Sequence, residues 1–299
     1  MTTATRFRAS SKGPSAPTSG GPGELETPRQ VLPQARRENF PVAFALLPPR
    51  ARRELRAIYG YARLVDDAGD EARGDRTALL DWLEADVDRL FEGKPEHPLL
   101  GRLVPVVRRH SLPREPFLDL IEANRRDQSV SRYPTFDDLV GYCRLSANPV
   151  GRLVLGVMDA GTPERVAASD AVCTALQLAE HWQDVAEDYR RGRIYLPLED
   201  MARFGVGESD LAAPPAGEAL RRLLAFEVER ARELLGAGVG LVRSLSGWRR
   251  LAIAGYVGGG RAALAAIEAA GYDALSGPPR PSRLAKLRGL NSVLAEARA

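Results

Sequence analysis

Two stretches, IYGYARLVDDAGDEA (58–72) and ALQLAEHWQDVAEDYRRGRIYLP (175–197), govern the reading of this chain. Each has helical character, over 57–71 and 172–189, and each holds two aspartates four residues apart, Asp66/Asp70 and Asp184/Asp188. On an α-helix that spacing stacks both carboxylates on one face, a turn apart. Like charges so placed cost a few tenths of a kcal/mol unless a cation sits between them. A chain that repeats the arrangement is expected to hold divalent metal, and oxygen donors without histidine favour magnesium.

The polar stripes extend beyond the aspartates. Tyr59, Arg63, Asp66 and Asp70 follow one helix face, and so do Gln177, Glu180, Asp184 and Asp188. The intervening residues are largely Ala, Leu, Val and Ile, the composition of a packed helix. Two such helices facing each other would line a cavity. Magnesium takes a few carboxylates and completes its shell with water and phosphate oxygens, which suits a diphosphate ligand.

Composition narrows the class. The 299 residues are 44% hydrophobic and 27% charged, ordinary for a globular protein with a sizeable core. A net charge of +3 is too mild to argue for nucleic acid, and no such partner is expected. Cys143 and Cys173 form neither a metal spacing nor a disulfide framework, so a reducing, cytoplasmic setting is expected. No apolar run is long enough to cross a bilayer. Residues 1–32 read as a disordered tail rich in Ser, Thr, Gly and Pro, ahead of one helical domain over 33–299.

Helical periodicity continues through 79–91, 99–110 and 115–126, with Thr135 as an N-cap for the next helix. Asn148-Pro149 predicts a kink or break. The segment 193–197 reads as extended, 205–217 as a loop with a short helical turn, 218–245 and 247–270 as long helices. Glycines in 236–240 and 258–260 lack the strand–turn–helix context of a dinucleotide site and read as packing glycines. His97 and His110 are expected at the surface, and His181 about 100° off its neighbouring stripe. The expectation is an all-α, single-domain bundle around a central cavity.

The two aspartate motifs, in this order, resemble those of the squalene/phytoene synthase family, head-to-head isoprenyl-diphosphate synthases of all-α fold. The likeness spans roughly 34–290, and ENFPVAFALLP (38–48) with the Trp-Gln-Asp at 182–184 is similar to the bacterial hydroxysqualene synthase branch. Dehydrosqualene and phytoene synthases usually carry arginine where this chain has Gln183. The resemblance implies that Asp66, Asp70, Glu180, Asp184 and Asp188 hold magnesium ions gripping a diphosphate. It implies Arg63 and Tyr59 beside that diphosphate, and Arg193 and Tyr195 as further phosphate contacts. Phe40 and Phe44 would line the isoprenoid tunnel, and Tyr142, in GYCRLSANPVG (141–151), would sit with Gln177 near the developing cation. Glu180 departs from the asparagine usual at its position and adds a negative charge beside Asp184 and Asp188.

The reaction so implied converts presqualene diphosphate and water to hydroxysqualene and diphosphate, without nicotinamide. The alternatives are a synthase condensing two farnesyl or geranylgeranyl diphosphates and, from another class, a catalytically silent binding partner in an isoprenoid pathway. Loose peripheral association with the inner face of the membrane is expected from the greasy substrate.

Overall fold

The computed structural model describes residues 47–70, 72 and 74–299, so Phe40, Phe44 and the expected tail over 1–32 lie outside the described residues. From Pro49 the chain runs as α1 (Pro49–Asp70), α2 (Arg76–Glu92), α3 (Pro98–His110), α4 (Glu115–Arg126), α5 (Phe136–Ser146) and α6 (Asn148–Val157). Then come α7 (Pro163–Gln183), α8 (Val185–Arg190), α9 (Leu198–Phe204), a 3-10 turn at Glu208–Leu211, α10 (Glu218–Arg243), α11 (Gly247–Ala269) and α12 (Arg283–Glu296). Extended pairing among the described residues is confined to one isolated bridge, Arg132 with Ile194, where extended backbone was expected. The fold is all-α.

Local chemistry sets the boundaries. Asp75 caps α2 by accepting from the Ala78 amide, and Gly93 ends that helix at φ 87°. Thr135 and Asp138 form a reciprocal capping box at the start of α5. The break expected near Asn148-Pro149 falls at Ala147, with Pro149 in the first turn of α6. One expectation fails. The stretch 172–189 is not a continuous helix: α7 stops at Gln183 and α8 starts at Val185, with Asp184 at φ −103°, ψ 15° between them. There the ladder tightens, the Glu187 amide donating to the Asp184 carbonyl three residues back. The second polar stripe therefore bends at its first aspartate.

A continuous apolar core joins these helices, with Trp182, Tyr61, Phe117 and Ile58 among its largest fully buried side chains. α7 packs on α6 and α10, α10 on α11, and α11 on α12, while α1 rests on α2, α3, α4 and α6. α11 and α12 meet backbone to backbone at Gly258 and Gly289. A Cβ on Gly258 would lie 2.6 Å from the Gly289 carbonyl carbon, and no real Cβ fits so close to main chain. Gly238, Gly258 and Gly260 are packing glycines, as expected, whereas a Cβ at Gly236 or Gly240 would meet nothing within 4 Å, so those two do not serve close packing.

The histidines correct the sequence reading. His97 is buried and caps α3, its Nδ1 accepting from the Leu99 amide. The His110 side chain is also buried, its two ring nitrogens 3.2 Å from Glu54 and 2.9 Å from Asp159. His97 serves a helix end, and His110, in the last turn of α3, bridges Glu54 of α1 and Asp159 beyond α6, roles that periodicity alone cannot indicate.

Glu227 on α10 is fully buried. Its Oε2 lies 3.5 Å from Arg230, which also donates to Asp200 on α9 at 2.9 Å, and its Oε1 has no hydrogen-bond partner. Burial raises its pKa to about 8; Arg230 opposes the shift and the Asp200 charge adds to it. Between the unfolded value of 4.5 and about 8, the folded chain keeps a proton that the unfolded chain releases. Stability therefore falls as pH rises through that window. Two predictions follow from this packing. Glu227→Gln should flatten that decline and stabilise the protein at about pH 8 by at least ~1 kcal/mol, read by urea unfolding across the window. Gly258→Ala should cost about 1–3 kcal/mol by forcing α12 away from α11, read as a lowered melting temperature.

Candidate active site

A cavity of about 450 Å³ opens between α1, α6 and α7, closed on its far side by α10 and α11. Leu55, Ile58, Val154, Val172, Leu176 and Ile253 give it apolar walls. The polar lining lies further along α1 and α7: Tyr59, Arg63 and Asp66 from one helix, Gln177 and Glu180 from the other. The two C-terminal ends are drawn together by Arg193, which follows α8 and donates to Asp70 Oδ1 at 2.8 Å. A long apolar ligand with one anionic end matches this asymmetry.

At the end of α1 the carboxylates crowd. Asp66 is open to the cavity yet surrounded by protein, and that enclosure raises its pKa to about 7. The Asn124 hydrogen bond and the Arg63 charge oppose the shift, while Asp70 and Asp67 add to it. Arg63 lies 2.7 Å from Asp67, which is buried. Gly69 lets α4 come close: a Cβ there would sit 2.8 Å from Asn124 Cγ. Gln128 ties the same crossing by donating to the Gly69 carbonyl.

Beyond Asp70 lies a second polar layer. Asp127, just past α4, accepts from the Tyr142 hydroxyl at 2.8 Å, and its other carboxylate oxygen is buried without a hydrogen bond. Burial pushes Asp127 to about 6, against the pull of Tyr142 and Arg193. Tyr142, Tyr133, Tyr195 and His181 form a ring cluster, with His181 stacked on Tyr195 at 3.7 Å between centroids and 14° between planes. His181 Nε2 lies 3.2 Å from Gln177 Nε2, and its Nδ1 lies 3.9 Å from Asp188.

The second motif is split by the bend at Asp184. Glu180 faces the cavity before it, while Asp184 and Asp188 follow it and lie outside the cavity lining. Burial raises the Asp184 carboxyl, Asp188 adds to that, and Arg280 counters it. Gln183 is buried and donates to the Pro279 carbonyl, fastening the motif to the 277–282 connector.

Of the residues singled out from sequence, the structure gathers Tyr59, Arg63, Asp66, Gln177 and Glu180 on one cavity. Asp70 and Arg193 are joined to each other at its edge, and Tyr142 and Tyr195 sit in the ring cluster behind. Sequence reasoning missed Asp67, Asn124, Asp127 and Arg280, and it gave His181 no place beside Gln177. Asp67 had a signal, its place directly after Asp66. The others carry no periodic pattern and are recruited by the crossing of α4 and the return of the connector.

Among the described residues no three His, Cys, Asp or Glu side chains converge as ready metal ligands. The donor set nevertheless suits magnesium, which binds through one or two carboxylates and takes its remaining ligands from water and phosphate. Asp66 and Glu180 offer that from opposite walls, and the enclosed, mutually repelling acids of α1 favour a cation nearby.

Comparison with known proteins agrees with this geometry. The family model described as squalene/phytoene synthase matches residues 34–288. A hydroxysqualene synthase of Rhodopseudomonas palustris is 36% identical over 218 residues, covering 72% of this chain and 73% of its own. A phytoene synthase of Arthrospira platensis is also 36% identical, over 220 residues, covering 69% and 71%. Among solved structures, squalene synthase HpnC from Alicyclobacillus acidocaldarius is 43% identical with a TM-score of 0.77, covering 84% of this chain and 95% of that one. A dehydrosqualene synthase in complex with ligand is 26% identical with a TM-score of 0.80, covering 91% and 95%. With an all-α fold, a cavity between two aspartate-bearing helices and relatives of this extent, the chain belongs to the squalene/phytoene synthase family.

Proposed function

We propose that this protein is a magnesium-dependent synthase that converts presqualene diphosphate and water to hydroxysqualene and diphosphate. The observation that carries the reading is the cavity itself: apolar walls with Arg63, Asp66 and Glu180 grouped along the later turns of its two long walls. Support for the branch comes from hydroxysqualene synthases among the relatives and from Gln183, whose amide anchors the connector beside the second motif.

In this reading the C–O bond to the diphosphate breaks and its electron pair leaves with the phosphate. Bound magnesium would neutralise charge on the departing oxygens, held by Asp66 and Asp70 on one side and Glu180, Asp184 and Asp188 on the other. Arg63, with Arg193 nearby, adds guanidinium charge on the same side. The cation left behind rearranges within apolar walls that exclude stray water, with the Tyr59 ring among the groups facing it. One water adds to the cation, forming the new C–O bond, and its proton leaves with the product diphosphate. Gln177 is the side chain we assign to that water: it lines the cavity and is held by His181. Tyr142 acts from behind, through Asp127 and the ring cluster.

The second reading is condensation of two prenyl diphosphates, favoured by relatives named phytoene synthase at the same identity as the hydroxysqualene synthases. Purified protein with Mg²⁺, given presqualene diphosphate or farnesyl diphosphate in separate incubations without NADPH, separates the two. A C30 alcohol from the first substrate and no turnover of the second is expected; consumption of farnesyl diphosphate would move the protein to the condensing branch. Arg63→Leu should lower kcat/KM by about 100-fold or more. Gln177→Leu should leave diphosphate release measurable while cutting the share of alcohol among the products, and an unchanged share would remove Gln177 from water capture.

A further inference from the structure

The segment from Ala274 to Ala295 carries Arg280, Arg283, Lys286 and Arg288 and no acidic residue at all. It includes α12, whose buried side is fixed: Leu290 and Val293 face the bundle, and Gly289 lies against the α11 backbone. The opposite side is turned to solvent, and it is not polar. Leu284 and Leu287 are 56% and 44% exposed, two of the three large hydrophobic residues so exposed among the described residues. At 100° per residue, Arg283, Leu287, Leu284 and Arg288 fall in that order within an arc of about 140°. The face thus alternates cation and leucine, so that the leucines can enter a headgroup boundary while the long arginine side chains reach its phosphates.

Its position adds meaning to the pattern. The connector leading into α12 is bound to the second motif through Gln183 and the Pro279 carbonyl, and Arg280 acts on Asp184. The patch therefore begins where the acidic layer at the end of α7 stops. No described helix is long and apolar enough to cross a membrane, so contact with lipid would be lateral.

We propose that the outer face of α12 docks this protein on anionic lipid bilayers, Leu284 and Leu287 entering the headgroup boundary and Arg283 and Arg288 pairing with lipid phosphates. Charge complementarity selects the occupant: a basic strip without a single acid suits an anionic surface, whereas a second copy of α12 would set like charges against each other. This docking holds whichever isoprenoid the cavity accepts.

Sedimentation of the full chain with vesicles tests the proposal. Vesicles of phosphatidylcholine with about one third phosphatidylglycerol should bind the protein at low salt, and vesicles of phosphatidylcholine alone should bind it much less. Raising the salt should release it. The pair Leu284→Ser with Leu287→Ser, and separately Arg283→Glu with Arg288→Glu, should each lower partitioning about tenfold or more while the melting curve stays unchanged. Two independent pairs keep the test decisive should one of them unfold. Binding by both pairs equal to that of the unaltered chain, or no preference for anionic vesicles, would overturn the proposal. So would a dimer that the leucine pair dissolves while vesicle binding persists.

Discussion

Enclosure of carboxylates inside the fold is the constraint on which the rest of this structure depends. α1 carries Asp66, Asp67 and Asp70 toward its C-terminal end, Asp127 follows α4, and Glu180 of α7 lines the same cavity as Asp66, with Asp184 and Asp188 beyond that lining. Enclosure lifts Asp66 to about 7 and Asp127 to about 6. A chain built for stability alone would replace several of these acids, since enclosed like charges oppose folding. Their neutralisers are arginines in fixed places, Arg63 on Asp67 and Arg193 on Asp70. In the proposed function this arrangement receives a divalent cation bearing phosphate.

The remaining architecture serves that layer. Gly69 allows α4 to approach closely enough for Asn124 to reach Asp66. Glu180 faces the cavity before the bend at Asp184, and Asp188 lies after it, near His181. Behind them the stacked rings of His181 and Tyr195, with Tyr133 and Tyr142, make a rigid wall that holds Gln177 from one side and Asp127 from the other. Rigid backing of this kind fixes polar groups without leaving them to loop motion.

Much of this was legible in the sequence because both stripes follow helical periodicity and the aspartates recur at one spacing. The helix boundary at Thr135 obeys capping chemistry that side-chain type announces. The bend at Asp184 was not legible, for it comes from a local tightening of the ladder inside a sequence with good helical pattern. Asp127 and Asn124 were equally hidden, since only the crossing of α4 over α1 carries them to the site. His97 and His110 misled for a related reason: a histidine near a loop can be buried, as the cap of the adjoining helix or as a bridge between carboxylates of other elements.

In the proposed function, Asp66 and Asp70 of α1, Glu180 of α7 and Asp184 just beyond it together hold a magnesium–diphosphate unit at the cavity. Calorimetric titration of the protein with inorganic diphosphate, with and without Mg²⁺, tests it without reference to any product. Saturable binding that requires Mg²⁺ and is lost in both Asp66→Asn and Asp184→Asn is the predicted result. Binding of equal strength without the metal, or its survival in both variants, would contradict it.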